Sequence, residues 1–550
     1  MTKSDPTQPL LVPGWNFADV LETITDTLPD APAQYHADQQ WTWREFDRRA
    51  DGIAKTLLDA GVEQQDKVPL YLYNGPEYLQ AVYGLFKAGL VPTNTNYRYT
   101  DDELVYIWDN ADAVAIIFHG TFTGRCEVVR HRLPDIKTWI WVDDGTSPKP
   151  EWAISFDDAA TSASSRIRAP WGRSGDDMLF VYTGGTTGMP KGVMWHQDDL
   201  VNVLDSTNKS RLPEQPDYDA LVARTVKPGP RNMPAAPLMH GTGLFNAMTN
   251  LLLGGSIVTM TGHRFDPVVL LDTIQQHRVN SMSIVGDAFA KPILRALDAE
   301  PDRWDVSSLR VVVSSGVMWS AETKAGLLRH MPRLIMADTL GSSEAIGMAT
   351  NITSAATAAE EPGSKSATFA LGPDTKILTE DGREVQPGSG ERGRVALRGR
   401  TSVGYYKDEA KTDSTFLVYH GVRYSIPGDW AEVDADGTVR LLGRGSQCIN
   451  TGGEKVYPEE VEETLKRFPG VHDAAVVGLP DERFGEAITA LVEVDPNVEV
   501  DATELIAFVK VKLAAYKAPK QVIFIDSIER AANGKLDYKS LKARALSASS

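Results

Sequence analysis

The feature that most limits the fold of this chain is an alternation. Short runs rich in β-branched and aromatic residues trade places with runs of helical period through the first four-fifths of the sequence. Residues 67–73 (KVPLYLY), 113–119 (AVAIIFH), 138–144 (TWIWVDD) and 178–183 (MLFVYT) read as strands. So do 256–260, 280–286 and 309–315, whereas 43–60, 77–88, 267–277 and 288–299 carry helical period. Parallel strands need long crossovers and helices supply them, so the pattern predicts α/β layers with much parallel sheet.

The character changes near residue 371. Glycine- and proline-rich turns such as DGREVQPGSGERG separate short strands, which predicts a small β-rich subdomain over about 371–444. Beyond it a compact α+β pattern follows: a helix over 458–467, strands AAVVGLP and ITALVEV, a helix over 502–513, and the strand VIFID. About a hundred residues of that kind can stand as a separate domain. The expected division is 1–444 and 445–550, with the final LSASS disordered.

Composition narrows the class of partner. The net charge is −18 and no long basic run occurs. Such a chain is poorly suited to sequence-independent binding of nucleic acid or of an anionic membrane. Two cysteines, Cys126 and Cys448, make neither a disulfide framework nor a zinc pattern. No apolar run reaches the ~20 residues needed to cross a bilayer, and the start MTKSDPTQPL has no signal-peptide form. The expectation is a cytoplasmic protein without nucleic-acid partners; the oligomeric state stays open, a homodimer included.

The strongest chemical signal is YTGGTTGMPKG, residues 182–192. It follows a strand and packs glycine, threonine and lysine into one loop. Gly184, Gly185 and Gly188 let backbone N–H groups converge on an anion. Thr183, Thr186 and Thr187 add hydroxyl donors, and Lys191 adds charge. A polyphosphate cradle needs this set, yet it is not a Walker loop, since GxxxxGK[ST] is absent.

This string resembles the phosphate loop of the adenylate-forming superfamily, which includes acyl-CoA synthetases, nonribosomal-peptide adenylation domains and firefly luciferase. Further matches follow in order. LGSSEAIG, from Leu340, resembles the superfamily's YGxTE segment, with Leu340 where the family usually has Tyr. The match implies that Asp338, Leu340, Gly341, Ser342 and Ser343 border the nucleotide and that Glu344 helps hold Mg²⁺. SSGVMWS, 314–320, is similar to the segment lining the adenine and acyl pockets, with Gly316 and Val317 as contact points. IPGDWAEVDADGTVRLLGR, 426–444, matches a long signature in which Asp429 would accept from both ribose hydroxyls and Arg444 would reach the ribose or phosphate. SQCINTGGEKVYPEEVEE, 446–463, resembles the segment past an inter-domain hinge, here at Ser446 and Gln447, with Gly452 and Gly453 beside a pantetheine channel. RAANGKLDY, 530–538, resembles the C-terminal motif that makes Lys535 the adenylation lysine. PLMHGTG, 237–243, occupies the place of the acyl-pocket motif, with His240 against the substrate carboxylate, while His196 reads as structural.

The resemblance implies a two-step reaction. ATP, Mg²⁺ and a small carboxylic acid give an acyl-adenylate and pyrophosphate, with Lys535, Glu344, Thr187 and His240 as the catalytic set. A mobile C-terminal domain then removes Lys535, and the thiol of coenzyme A takes the acyl group. Among relatives, the likeness is to bacterial fatty-acyl and steroid-side-chain CoA synthetases, carried also by GYYKDE (404–409) and GVRYSIPGD (421–429). Pocket candidates His240, Phe245, Gly286, Asp287, Val317 and Met318 are mostly small or apolar, which suits an apolar acid. Two alternatives stay open: adenylation with a carrier-protein thiol or an amine as acceptor, and a nucleotide-binding homologue without catalysis.

Overall fold

The computed structural model describes residues 14–549, apart from 186–187, 317–318, 361–367, 452–453, 482–484, 514 and 532–533. Three sheets organise these residues. In the first, Pro32–His36, Ser256–Thr259, Arg231–Pro234, Ser281–Ile284, Val311–Ser315 and Ile335–Ser342 lie side by side, all parallel. In the second, Met178–Gly185, Val91–Asn94, Lys67–Tyr71, Ala115–His119 and Thr138–Val142 are parallel neighbours. The chain starts in the first sheet, builds the second and returns, so neither sheet is an independent unit.

The alternation in the sequence has a plain physical origin. Strands such as Ala115–His119 and Thr138–Val142 are buried at every position, as strands covered on both faces must be. The covering helices start on strong signals. Trp43–Asp59 opens with a capping box between Thr42 and Glu45, and Pro76–Lys87 opens with proline in its first turn. Pro267–His277 has the bounds its periodicity predicts, capped by Asp266 and closed by Arg278 in the left-handed region. Where these two layers meet, the packing is tight: a Cβ at Gly84 would come within 2.9 Å of the Ala50 carbonyl oxygen.

The β-rich part after 371 forms strands as expected, but it does not form a sheet of its own. Ala345–Thr353 and Thr368–Leu371 turn the first sheet antiparallel and hand it on to Val439–Arg444, Asp429–Val433 and Arg392–Arg398. The Asp434–Gly437 turn closes a hairpin, with Gly437 at φ 85° as that turn requires.

A third, smaller sheet uses only residues after Arg444. Val471–Asp481 and Gly485–Val494 form its long antiparallel pair, Gln521–Phe524 adds a parallel strand, and Pro458–Leu465, Ala502–Lys512 and Tyr538–Ser549 cover it. The last of these helices corrects one expectation. LSASS was read as disordered, yet residues through Ser549 complete a helix whose Leu541 and Ala545 are buried. That apolar pair gives the terminus something to bury, which a polar count of the last five residues misses.

Candidate active site

The C-terminal ends of the parallel strands of both large sheets converge on one crevice, the place where open α/β sheets bind ligands. Two asparagines tie its walls together. Asn74, just past Lys67–Tyr71, donates to the carbonyls of Pro234 (2.9 Å) and Ala236 (3.2 Å) and accepts from the Leu238 amide (2.7 Å). Asn94, at the end of Val91–Asn94, accepts from the Tyr182 amide (2.6 Å) and donates to the carbonyls of Tyr182 (2.9 Å) and Met239 (2.7 Å). Sequence reasoning missed both. Each stands at a strand end, which is the one signal that could have found them.

The YTGGTTGMPKG string forms the tip of an antiparallel hairpin between Met178–Gly185 and Gly188–His196. Thr183 pairs with Lys191 and Gly185 with Gly188, with a register shift between Thr183 and Gly185. Gly184 sits in that shift; Thr186 and Thr187 lie outside the described residues. Lys191 forms an ion pair with Asp408. That contact holds the Asp408 carboxyl below the usual range. His196, at the hairpin's far end, bonds the Asp176 carbonyl at 3.0 Å.

A second hairpin carries the acidic group. Ile335–Ser342 and Ala345–Thr353 pair from Met336–Thr353 to Ser342–Ala345, which puts Ser343 and Glu344 at the turn. The turn is held from several sides. The Trp195 indole donates to the Ser343 carbonyl (2.7 Å), and the Ser402 and Ser425 hydroxyls donate to the Glu344 carbonyl (3.2 and 3.3 Å). Ser342 accepts from the Glu344 amide (3.3 Å), and Tyr405 donates to Glu344 Oε1 at 2.5 Å. Leu340 and Gly341 precede the turn on the strand. Asp338 faces inward on that strand. Burial raises its carboxyl to about 6 despite an ion pair with Lys324.

Gly316 follows Val311–Ser315 directly, at φ 92°, where a side chain would be strained. The neighbouring Ser314 hydroxyl accepts from the Gly286 amide (2.9 Å) and so fixes the start of Gly286–Ala299. Asp287, the one charged pocket candidate, turns to the amide and hydroxyl of Ser320, both at 3.1 Å. Phe245 is buried on Gly241–Leu252; Val317 and Met318 lie outside the described residues. Asp429 begins its strand, buried, with Arg444 as its register partner. Ser446 and Gln447 fall in a single 3₁₀ turn, whereas Gly452 and Gly453 lie outside the described residues.

An electrostatic effect links the middle of the chain to its C-terminal part. His240 caps Gly241–Leu252 in the crevice. Burial, then the charge of Lys535, then that of Arg98 push its imidazole down to about 3. Lys535 stands more than 290 positions later in the chain, and its ammonium is one of the charges that disfavour protonation of this imidazole. It sits exposed on a loop whose Ala531 amide donates to its carbonyl (3.0 Å) and whose Gly534, at φ 71°, accepts from Arg530 (2.9 Å). Elsewhere the small sheet meets Gly286–Ala299: Lys291 donates to the His472 carbonyl (3.5 Å) and Arg295 lies 3.4 Å from its ring.

Residues 21–406 match the model of the AMP-binding enzyme family, and 460–535 match the AMP-binding enzyme C-terminal domain. The chain belongs to the AMP-binding enzyme family. A medium/long-chain-fatty-acid–CoA/3-oxocholest-4-en-26-oate–CoA ligase of Mycobacterium tuberculosis is 39% identical to this AMP-binding enzyme over 95% of both chains. A 3-oxocholest-4-en-26-oate–CoA ligase of Rhodococcus rhodochrous is also 39% identical, again over 95% of each. Among solved structures, the anthranilate CoA ligase AuaEII in complex with anthranoyl-AMP superposes with a TM-score of 0.82 over the whole of both chains, at 23% identity, a likeness of fold. ATP-bound MatB from Rhodopseudomonas palustris gives 0.78 at 25% identity over 96% and 99%.

Proposed function

We propose that this AMP-binding enzyme is an ATP-dependent acid–CoA ligase that forms an acyl-adenylate and passes the acyl group to coenzyme A. The observation that carries this reading is the match of residues 21–406 and 460–535 to the two parts of the AMP-binding enzyme family. The names of the relatives support it, and they extend it to an apolar acid, a medium- or long-chain fatty acid or a steroid side-chain acid; a terpenoid side-chain acid belongs to the same apolar class.

A carboxylate oxygen is a poor leaving group, and its exchange for AMP brings two anions together. This chain's residues answer that repulsion. Lys191 and the Gly184–Gly188 loop face the triphosphate, Glu344 stands beside it, and Lys535 enters from the C-terminal lobe. Such a step is positioning plus charge stabilisation. Glu344 suits Mg²⁺, which takes oxygen ligands and is commonly held by one or two carboxylates plus substrate phosphates. When bound, the metal would neutralise charge on the phosphates.

In this reading His240 stays neutral at working pH, packs against the acid and leaves the ammonium of Lys535 as the cation there. Asp429 takes the ribose hydroxyls and Arg444 the ribose or phosphate; Gly316, Leu340 and Gly341 border the adenine. Residues 1–444 and 445–550 act as separate units. Rotation about Ser446 withdraws Lys535 and presents Gly452 and Gly453 to coenzyme A. A cytoplasmic setting, where both ATP and coenzyme A are supplied, belongs to the same proposal; among the described residues no helix is long and apolar enough to cross a membrane.

The test is a panel of acids mixed with ATP and Mg²⁺, with and without coenzyme A. Pyrophosphate release with each apolar acid, and loss of free thiol only when coenzyme A is present, is expected. Pyrophosphate release without thiol consumption would move the acceptor to another thiol or an amine.

A further inference from the structure

The GYYKDE segment, residues 404–409, has no part in the reaction described above, yet it reaches both charged elements of the phosphate site. Gly404–Tyr405 pairs antiparallel with Met194 and Val193, just past Lys191 on the phosphate hairpin. The Tyr406 amide donates to the Gly192 carbonyl (2.8 Å), and Asp408 pairs with Lys191. From this same strand the Tyr405 hydroxyl crosses to Glu344 Oε1 at 2.5 Å. Tyr405 is 6% exposed and is fixed at its backbone by a bond from its amide to Thr412 Oγ1 (2.9 Å). A rigid phenol therefore takes one oxygen of Glu344, and among the described residues Oε2 carries no hydrogen bond.

We propose that Tyr405 is a positioning residue for adenylation: its hydroxyl holds Glu344 so that the second carboxylate oxygen is presented to the divalent cation of the metal–nucleotide substrate. The inference rests on the acid–CoA ligase reading and deepens it. The Glu344 carbonyl is already held by Ser402 and Ser425, and the Ser343 carbonyl before it by Trp195, so Tyr405 governs what is left, the placement of the side-chain carboxylate. Partners that orient a metal-binding carboxylate typically change metal affinity about 10–100-fold when removed.

The experiment measures Mn²⁺ binding by electron paramagnetic resonance in the presence of a non-hydrolysable ATP analogue, alongside the Mg²⁺ dependence of pyrophosphate release. Tyr405→Phe, which removes a single oxygen, is expected to weaken Mn²⁺ binding ~10-fold and to raise the half-saturating Mg²⁺ to match. Affinity for the metal-free analogue is expected to stay within about twofold, since the phenol bears on the carboxylate. Glu344→Gln supplies the second arm: in that background Tyr405→Phe adds less than about twofold, because the two act as a unit. Unchanged Mn²⁺ binding in Tyr405→Phe, or the same loss with and without Glu344, overturns the proposal and leaves the ligase reading standing. Failure of the wild-type protein to bind the analogue at all overturns both.

Discussion

Lys87 and Lys535 are the same residue type put to opposite uses. Lys87 is fully buried, with Glu22 at 2.9 Å and Asp47 and Asp51 at 2.7 Å. Arg173 closes the cluster on Glu22 at 2.8 Å, and Tyr83 donates to Asp47. Burial alone would raise Glu22; the Arg173 and Lys87 contacts reverse it and hold its carboxyl down at about 2. Lys535 is exposed on a glycine turn at the edge of the small sheet, and its charge is felt across the crevice at His240. A charge that must stay is surrounded by opposite charge. In the proposed reaction the second charge must arrive and leave, and a surface loop keeps its desolvation small.

The contrast can be broken in order of expected size. Lys87→Ala leaves three carboxylates facing one another and should cost about 3–5 kcal/mol of stability, read as a large fall in melting temperature. A change under ~1 kcal/mol would mean that the cluster relaxes, and the contrast would fail there. Lys535→Ala should leave the melting temperature alone, slow acyl-adenylate formation about 10²–10³-fold and spare thioester formation from a supplied acyl-adenylate. Equal loss of both half-reactions would remove Lys535 from the first step alone.

Two smaller effects sharpen the same comparison. Asp429→Ala should weaken ATP binding by ~1.5–3 kcal/mol, the scale of hydrogen bonds to a charged group, and an unchanged affinity would take it out of the ribose site. The smallest is spectroscopic. In Lys535→Ala the His240 imidazole should titrate above its native value, because one cause of its depression is gone, and an NMR titration that does not move would separate the two residues. The sign for stability follows. His240 has a folded value of about 3, below an ordinary imidazole, so the unfolded chain binds the extra proton between about pH 6.5 and 3. Its contribution is present above that window and is lost as pH falls through it. Glu22 behaves alike at lower pH, present above ~4.5 and lost toward 2.

Much of the fold was legible because burial writes itself into period. The helix Pro267–His277 and the strands around Val311–Ser315 and Met178–Gly185 each carry a pattern that only one environment satisfies. The continuity of the first sheet through Thr368–Leu371 was not legible, since strand pairing is a long-range choice and a four-residue run carries no record of its neighbour. The site divides in the same way. Lys191, Glu344, Asp429 and Lys535 stand in strings whose spacing announces them, and the structure gathers Lys191 and Glu344 around one segment. Asn74, Asn94 and Tyr405 act through contacts across more than sixty residues of sequence, so that even the GYYKDE string, which contains Tyr405, gives no sign of its partner.

Asn94 has a consequence of its own. One amide side chain holds the root of the phosphate hairpin at Tyr182 and the residue before His240 at Met239. Whatever displaces one side tugs on the other. If the hairpin holds phosphate and His240 the acid, as proposed, an acid that fits badly would loosen the grip on nucleotide before any phosphorus–oxygen bond is broken.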